Sequence, residues 1–200
     1  GIKGSPEIAY KYLSKALLKI GDKIVDPSIE ILRINSDAKL QEALQEFFLG
    51  LGPHVIKKLI PLTDDLTPKI RNFAKETIKK FDTKAVDALN KILQETKKEE
   101  KQVSVLKLLK NFKEKTVPTL DTIKPFLTKE GQLQHQSLLV VQSMGSAAKK
   151  VVPELIEAFK SKDWLIRAAA ANALANTGEA ALPALPLFRK RLKINRFGEP

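Results

Sequence analysis

Apolar residues recur along this chain in groups of four at the spacing i, i+3, i+4, i+7, which places all four on one face of an α-helix. Six such quartets, which admit an occasional serine or threonine, begin at residues 13, 44, 74, 105, 137 and 170. Successive quartets are therefore 30 to 33 residues apart, about the length of one helical hairpin. Because self-similarity at such a period is typical of repeat architectures, the pattern predicts a chain of repeated helical units.

A second, shorter helix is predicted between successive quartets. Its apolar positions also recur, most clearly at Val86, Leu89 and Ile92, at Val117, Leu120 and Ile123, and at Val152, Leu155 and Phe159. Each unit therefore has the order helix, turn, helix, turn.

Residues typical of helix ends fall where this pattern needs them. Ser5, Thr67 and Asp163 precede predicted helices, where a side-chain oxygen can cap free backbone N–H groups. A glycine follows four of the quartets, at the point where a helix commonly ends in a left-handed residue. These glycines are Gly21, Gly52, Gly145 and Gly178, and prolines near the starts of the shorter helices are Pro27, Pro53, Pro118 and Pro153.

Residues 145–178, GSAAKKVVPELIEAFKSKDWLIRAAAANALANTG, carry a family resemblance. The Pro-Glu-Leu of 153–155, the Asp-Trp-Leu-Ile-Arg of 163–167 and the Asn-Ala-Leu of 172–174 resemble the bacterial kind of HEAT-like repeat. The resemblance implies structural repeat positions at Asp163 and Arg167, and at Arg71, which stands in the arginine slot of an earlier unit. It covers roughly residues 6–193 and is strongest near the C-terminal end, because the other units have Tyr10, Gln41, Gln102 and Gln134 in that slot.

The resemblance implies an all-α fold: a right-handed α-α superhelix, or α-solenoid, of about six HEAT-like hairpins and roughly twelve helices. We expect a single domain over residues 1–200, in which neighbouring hairpins cover each other's apolar faces. Its units are a half repeat at 6–20, hairpins at 24–51, 53–81, 83–112, 116–144 and 147–177, a half repeat at 180–193 and a tail at 194–200. Half repeats are typical of capping helices or of the cut ends of a longer solenoid, and we expect caps.

The formal net charge of +12 raises the question of nucleic-acid binding, because Lys and Arg attract phosphate. Only six of the 35 basic residues are arginine, the residue best suited to bidentate phosphate and base contacts. Lysines spread over helix surfaces favour a solvated basic surface. A phosphate-binding track and a surface for an acidic protein partner are the alternatives.

Side chains suited to catalysis are scarce. The two histidines, His54 and His135, have no carboxylate and hydroxyl partners at a spacing typical of a catalytic site. The chain has no cysteine, which excludes a thiolate nucleophile and a cysteine metal site. We therefore expect a binding protein rather than an enzyme, with no metal and no cofactor.

The repeat register predicts a binding surface on the concave side of the solenoid. If the quartets face the core, the residues two positions before each quartet's first residue and one, two and five positions after it point toward that side. We expect a protein or peptide partner to bind there through an apolar cluster flanked by lysines. The candidate residues are Leu106, Leu138, Leu139, Trp164, Lys75, Lys79, Lys107 and Lys110. The competing interpretation places the leucines in the core and lets Trp164 cover a turn.

The alternative function is binding of the nucleic-acid phosphate backbone. Lys97, Lys98, Lys101, Lys107 and Lys110 cluster in one repeat, and FRKRLKINR at 188–196 concentrates cations near the end of the chain. For the second cluster the competing interpretation is a solvated helix C-terminus, where cations interact favourably with the helix dipole.

Neither a membrane span nor a secretory signal is indicated by the sequence. No window approaches the roughly 18 apolar residues that a transmembrane helix needs, and no signal peptide stands at the start. We expect a cytoplasmic monomer. Since the chain begins at Gly1 rather than Met, removal of a targeting segment is an alternative. These patterns do not encode the partner's identity.

Overall fold

The computed structural model describes the backbone of residues 6–35 and 37–197, and the side chains of residues 12, 14–35 and 37–192. Regular structure within these ranges is entirely helical, which confirms the predicted all-α class. Ten α-helices there have eight residues or more, slightly fewer than the roughly twelve predicted, and two more are single turns. In chain order they are α1 (Pro6–Ile20), α2 (Val25–Ile34), α3 (Ala38–Leu51), α4 (Ile56–Leu59), α5 (Pro68–Lys80), α6 (Thr83–Glu95), α7 (Glu99–Leu109), α8 (Leu120–Ile123), α9 (Gln132–Ser143), α10 (Val152–Phe159), α11 (Trp164–Asn176) and α12 (Leu185–Phe197).

The two single-turn helices stand where the sequence predicts longer second helices. α4 and α8 are continued by 3-10 turns at Ile60–Asp64 and Lys124–Phe126. Each of these turns contains a proline, Pro61 or Pro125. A proline has no N–H to donate to the carbonyl four residues back, so the α-helix stops and tighter turns take its place.

The helices group into two compact units, Gly1–Ile92 and Leu93–Pro200, with the boundary inside α6. In the first unit, α3 contacts both α1 and α5. In the second unit, α9 contacts both α7 and α11, and α10 contacts α11. Quartet-bearing helices of successive repeats therefore lie side by side within each unit. The single domain expected over residues 1–200 stays a prediction.

The predicted quartets form the core of both units. In the five quartets that start at residues 44, 74, 105, 137 and 170, every residue is buried except Leu51, which is half-buried. The first quartet differs, because Ala16 and Ile20 are exposed, while Leu13 lies outside the described side chains. α1 packs mainly against α3 and the 3-10 turn that follows it. These contacts leave part of its quartet in water.

The residue after each quartet has a positive φ in all six repeats. The predicted glycines Gly21, Gly52, Gly145 and Gly178 have φ of 74°, 102°, 61° and 66°, and Asp82 and Lys113 take the equivalent place with φ of 52° each. The left-handed helix ends predicted at the glycines are therefore confirmed. A left-handed conformation costs a residue with a β-carbon about 1–2 kcal/mol, so the two repeats without glycine carry local strain.

The predicted helix caps have different outcomes. Asp163 Oδ1 accepts a hydrogen bond from the Leu165 N–H at 2.8 Å and caps α11 as predicted. Thr67 stands at the start of α5, but its side chain makes no capping bond, so that prediction is wrong. Ser5 lies outside the described residues. The sequence analysis missed Asp37, which caps α3 by accepting from the Lys39 N–H at 2.8 Å.

Polar contacts between successive hairpins of the first unit follow the repeat period. Arg33 Nη2 lies 2.6 Å from Asp65 Oδ2, and Lys58 Nζ lies 2.8 Å from Asp26 Oδ2. Both pairs join residues that are 32 positions apart. These two contacts therefore share the same offset, which is close to the repeat period.

Replacing Gly178 by alanine should lower the free energy of unfolding by about 1 kcal/mol, because alanine resists a left-handed backbone. Beyond the chain neighbours, no atom lies within 4 Å of the place that the new β-carbon would take, so the cost is conformational. Lys113→Gly should instead raise the free energy by about 1 kcal/mol. Urea denaturation measures both, with Lys149→Gly, at a residue of negative φ, as the destabilised control. A Lys113→Gly variant that loses stability would contradict the strain argument.

A pH dependence follows from the Arg33–Asp65 contact. The hydrogen bond from Arg33, followed by that from the Thr67 N–H, lowers the pKa of Asp65 to about 2. Such a carboxylate stabilises the fold above its unfolded pKa and loses this contribution as the pH falls toward its folded pKa. Asp65→Asn should therefore unfold more easily than the wild type at neutral pH, and the two should converge between about pH 4 and pH 2. Denaturation midpoints over this range measure the effect, which should shrink in an Arg33→Ala background, where only the Thr67 N–H still stabilises the carboxylate.

Candidate partner-binding surfaces

Two of the leucines predicted to line an exposed groove are core residues. Leu106 and Leu138 are 0% exposed, so the expectation that they face a partner is wrong. The cause for Leu138 is the position of its helix, because α9 contacts α7, α11 and the 3-10 segments on either side of it in the chain. A helix covered from so many directions buries residues beyond its quartet. Leu106 is covered in the same way on α7, which contacts α9 and the 3-10 segment Lys110–Thr119.

The remaining predicted residues reach the surface. Leu139 is half-buried, and Trp164, the first residue of α11, is 65% exposed. The predicted lysines are all exposed: Lys75 and Lys79 on α5, and Lys107 and Lys110 at the end of α7. The α5 pair belongs to the first unit and the α7 pair to the second. Only the α7 pair therefore shares a unit with Leu139 and Trp164.

Arg71 and Arg167 each bind the backbone of the turn that precedes their helix. Arg167 Nη1 donates to the carbonyls of Ser161 and Lys162 at 3.0 and 2.7 Å. Arg71 Nη1 donates in the same way to Asp65 and Leu66 at 2.6 and 3.3 Å. These contacts therefore occupy both guanidinium groups with backbone carbonyls of the same chain.

The exposed side of α11 is uncharged, although 29% of the chain is charged. No charged residue occurs from Ala168 to Asn176. We use the name alanine face for a surface on α11 and α9 that consists of Ala168, Ala171, Asn172, Ala175 and Leu139. On α11, Ala171 is half-buried and the other three residues are exposed.

Leu139 extends the alanine face onto the neighbouring helix. It takes the place on α9 that Asn172 takes on α11, two residues after the start of the quartet. At one end of the face Asn176 Nδ2 donates to the Gln142 carbonyl at 3.0 Å and ties the two helices together. The surface is therefore held by packed helices rather than by loops.

A cleft of about 610 Å³ opens at the turns that precede α9 and α11. Its charged lining is mixed, with Glu130, Glu157, Lys160 and Lys162 among its residues. Lys160 Nζ lies 2.7 Å from Glu157 Oε2, so part of this charge is satisfied internally. Trp164 follows the cleft in sequence but is not part of its lining.

The sequence analysis missed a groove of about 400 Å³ between α4 and α6 in the first unit. We call it the basic groove, and its lining residues are Pro53, His54, Lys57, Lys84, Asp87, Ala88, Lys91 and Ile92. The sequence feature that points to this groove is the spacing of Lys84, Ala88 and Lys91, which places these three residues on one side of α6. Nothing in the sequence shows that Lys57 of α4 lies across from them.

The histidines lie in separate surroundings. His54 Nε2 is 2.9 Å from Asp22 Oδ1, a partner that the sequence analysis missed because it comes from the preceding hairpin. His135 is half-buried on α9. Across the described side chains, no group of three or more His, Cys, Asp or Glu could hold a metal ion. No helix in the described part of the chain is long and apolar enough to cross a bilayer.

The helices and their contacts define the class of the protein as all-α and are consistent with a helical repeat-like fold. No protein-family model matches the chain, and no curated protein matches it. Among solved structures, it is similar to the crystal structure of an engineered protein from the Northeast Structural Genomics Consortium. That similarity has a TM-score of 0.48 and 17% sequence identity, and covers 87% of this chain and 90% of the other. The functional inference therefore rests on the residues of the chain itself.

Leu138→Ala should lower the free energy of unfolding by about 2–5 kcal/mol, because it leaves a cavity in the core of the second unit. Leu139→Ala, at the next residue of the same helix, should cost about 1 kcal/mol or less because its side chain is already partly in water. Urea denaturation followed by circular dichroism compares the two. Equal losses would contradict the different burial of the two leucines.

Proposed function

We propose that this chain is a HEAT-like α-solenoid binding module without catalytic activity, which recognises a helical segment of a partner protein on the alanine face. The observation that carries the proposal is the uncharged, exposed side of α11 in a chain with a net charge of +12. The basic surface nearby favours a partner with acidic residues beside its apolar ones.

The repeat geometry within each unit supports the solenoid part of the proposal. Quartet-bearing helices contact one another from one repeat to the next, and ion pairs in the first unit join residues one period apart. Arg71 and Arg167 make the same backbone contacts in two different repeats. Such regularity is expected of hairpins that each contact their sequence neighbours.

The chemistry of the alanine face differs from that of equivalent positions elsewhere. On α5 the corresponding residues are Asn72, Lys75, Glu76 and Lys79, all exposed. Exposed helix faces are usually charged in this manner, since charge keeps a protein soluble. Alanine side chains are uncharged and short, so they leave the surface of the helix flat. A partner helix can therefore approach at the lower end of the usual interaxial distance of about 8–10 Å.

The size of the face favours a helix or peptide over a folded domain. A helix of 13 residues such as α11 is about 20 Å long, and adding α9 gives a width of about 20 Å. The resulting area is well below the roughly 800 Å² that each partner contributes to a standard protein–protein interface. Lys107 and Lys110, exposed on the neighbouring α7, can attract carboxylates that flank the apolar residues of such a segment.

A double substitution on the alanine face provides the test. Ala168→Glu together with Ala175→Glu should abolish recovery of the partner captured by the wild-type protein from native lysate, since it places carboxylates where the partner helix docks. Both positions are exposed, so the fold should lose less than about 1 kcal/mol. Quantitative mass spectrometry of the captured proteins measures the effect. Ala38→Glu, at an exposed alanine of the first unit, is the matched control and should capture the partner normally.

Nucleic-acid binding is the competing function. Lys97, Lys98, Lys107 and Lys110 are exposed on or beside α7, and so are Arg189, Lys190 and Arg191 on α12. Phosphate contacts would appear as duplex or single-stranded DNA binding that weakens steeply with salt. If such binding is found while the alanine-face variant and the Ala38→Glu control capture the same proteins, the proposed function is wrong.

A further inference from the structure

The basic groove combines an apolar floor with a cationic rim. Ile92 is buried at 3% exposure, and Pro53 and Ala88 are half-buried beside it. The ammonium groups belong to Lys57 on α4 and to Lys84 and Lys91 on α6, all three exposed residues, and Asp87 is the one carboxylate in the lining. The two elements thus form a shallow trough whose long side chains carry positive charge.

An equivalent groove in the second unit has the opposite charge. It has a volume of about 510 Å³ between the α8 segment and α10, and its lining includes Asp121, Glu154 and Glu157 but a single lysine, Lys124. Lys124 Nζ lies 3.0 Å from Glu154 Oε1, so that lysine is paired within the groove. The repeat architecture therefore creates the trough in both units, and the side chains of each decide its charge.

We propose that the basic groove is a docking site for an acidic peptide segment of a partner protein, with carboxylates on the rim lysines and one apolar side chain on the floor. The rim supplies charge complementarity, which brings the segment in and sets its orientation. The floor supplies the apolar contact, because Pro53, Ala88 and Ile92 form one patch that a leucine-sized group can cover. This site lies on different helices from the alanine face and does not depend on it.

The lining of the groove fits a peptide better than a nucleic acid. Phosphate backbones are bound by runs of cations, often arginine, without an apolar floor. In the basic groove the cations are lysines, a carboxylate stands among them, and much of the lining is carbon. A peptide that alternates carboxylate and apolar side chains satisfies all of these features.

Fluorescence anisotropy with a short labelled peptide of glutamates flanking one leucine tests the proposal on the full chain. The wild type should bind the peptide, and binding should weaken as salt is raised because the rim charges are exposed. Lys84→Glu should weaken binding by about fivefold or more, because it replaces an attraction by a repulsion. Ala88→Glu should do the same by placing a charge on the floor. Circular dichroism checks that both variants fold.

Matched controls separate the basic groove from the net charge of the chain. Lys149→Glu makes the same charge change at an exposed residue of the second unit and should leave peptide binding within about twofold of the wild type. The alanine-face variant should also bind the peptide normally, so failure of the proposed function leaves this result unaffected. A peptide with glutamine in place of glutamate should not bind.

Three outcomes would overturn the proposal. The first is no binding of the glutamate peptide by the wild type. The second is equal weakening by Lys84→Glu and Lys149→Glu, which would assign the binding to overall charge. The third is tighter binding of an oligothymidylate than of the peptide, lost in Lys84→Glu, which would make the groove a phosphate site.

Discussion

Within each of the two units, burial of the apolar face of a quartet-bearing helix by its neighbouring helices is the interaction on which the other features of this protein depend. A single hairpin cannot cover its own quartet, so stability arises from contacts between neighbours. α9, which contacts quartet-bearing helices on two sides, buries its quartet completely. α1, which packs mainly against α3 and the 3-10 turn that follows it, leaves Ala16 and Ile20 in water. Burial follows the position of a helix in the stack as well as its sequence.

The turns keep the hairpins at a constant period by more than one chemical route. A residue with a positive φ follows every quartet and ends the quartet-bearing segment. It is glycine in four repeats and a strained Asp82 or Lys113 in the other two. The arginine slot shows the same tolerance. Gln102 Nε2 donates to the Thr96 carbonyl at 3.0 Å and Gln134 Nε2 to the Leu127 carbonyl at 2.9 Å. In other repeats Arg71 and Arg167 make the equivalent contacts with the preceding turn. Backbone geometry is therefore maintained while the side chains vary.

Because the backbone geometry does not depend on particular surface side chains, the surfaces can differ between repeats. The grooves between second helices are basic in the first unit and acidic in the second. Exposed helix faces are charged on α5 and uncharged on α11. The charged residues on these surfaces are mostly exposed and do not support the core, so their chemistry can vary between repeats. This is why the proposed sites lie on the faces of regular helices and not in the mixed-charge cleft beside Trp164.

The sequence by itself determined the all-helical class, the repeat period, the five buried quartets and the left-handed glycines, because these depend on local periodicity and backbone preference. It assigned Leu138 and Leu139 to the same surface, since positions one and two after a quartet start lie close together on a helix. Only tertiary structure separated them, by covering α9 on several sides so that Leu138 is buried and Leu139 is not fully covered. The basic groove needed tertiary structure for the same reason. Lys57 and Lys84 line the groove from two different helices, and the periodicity of one helix does not show which residues lie opposite it.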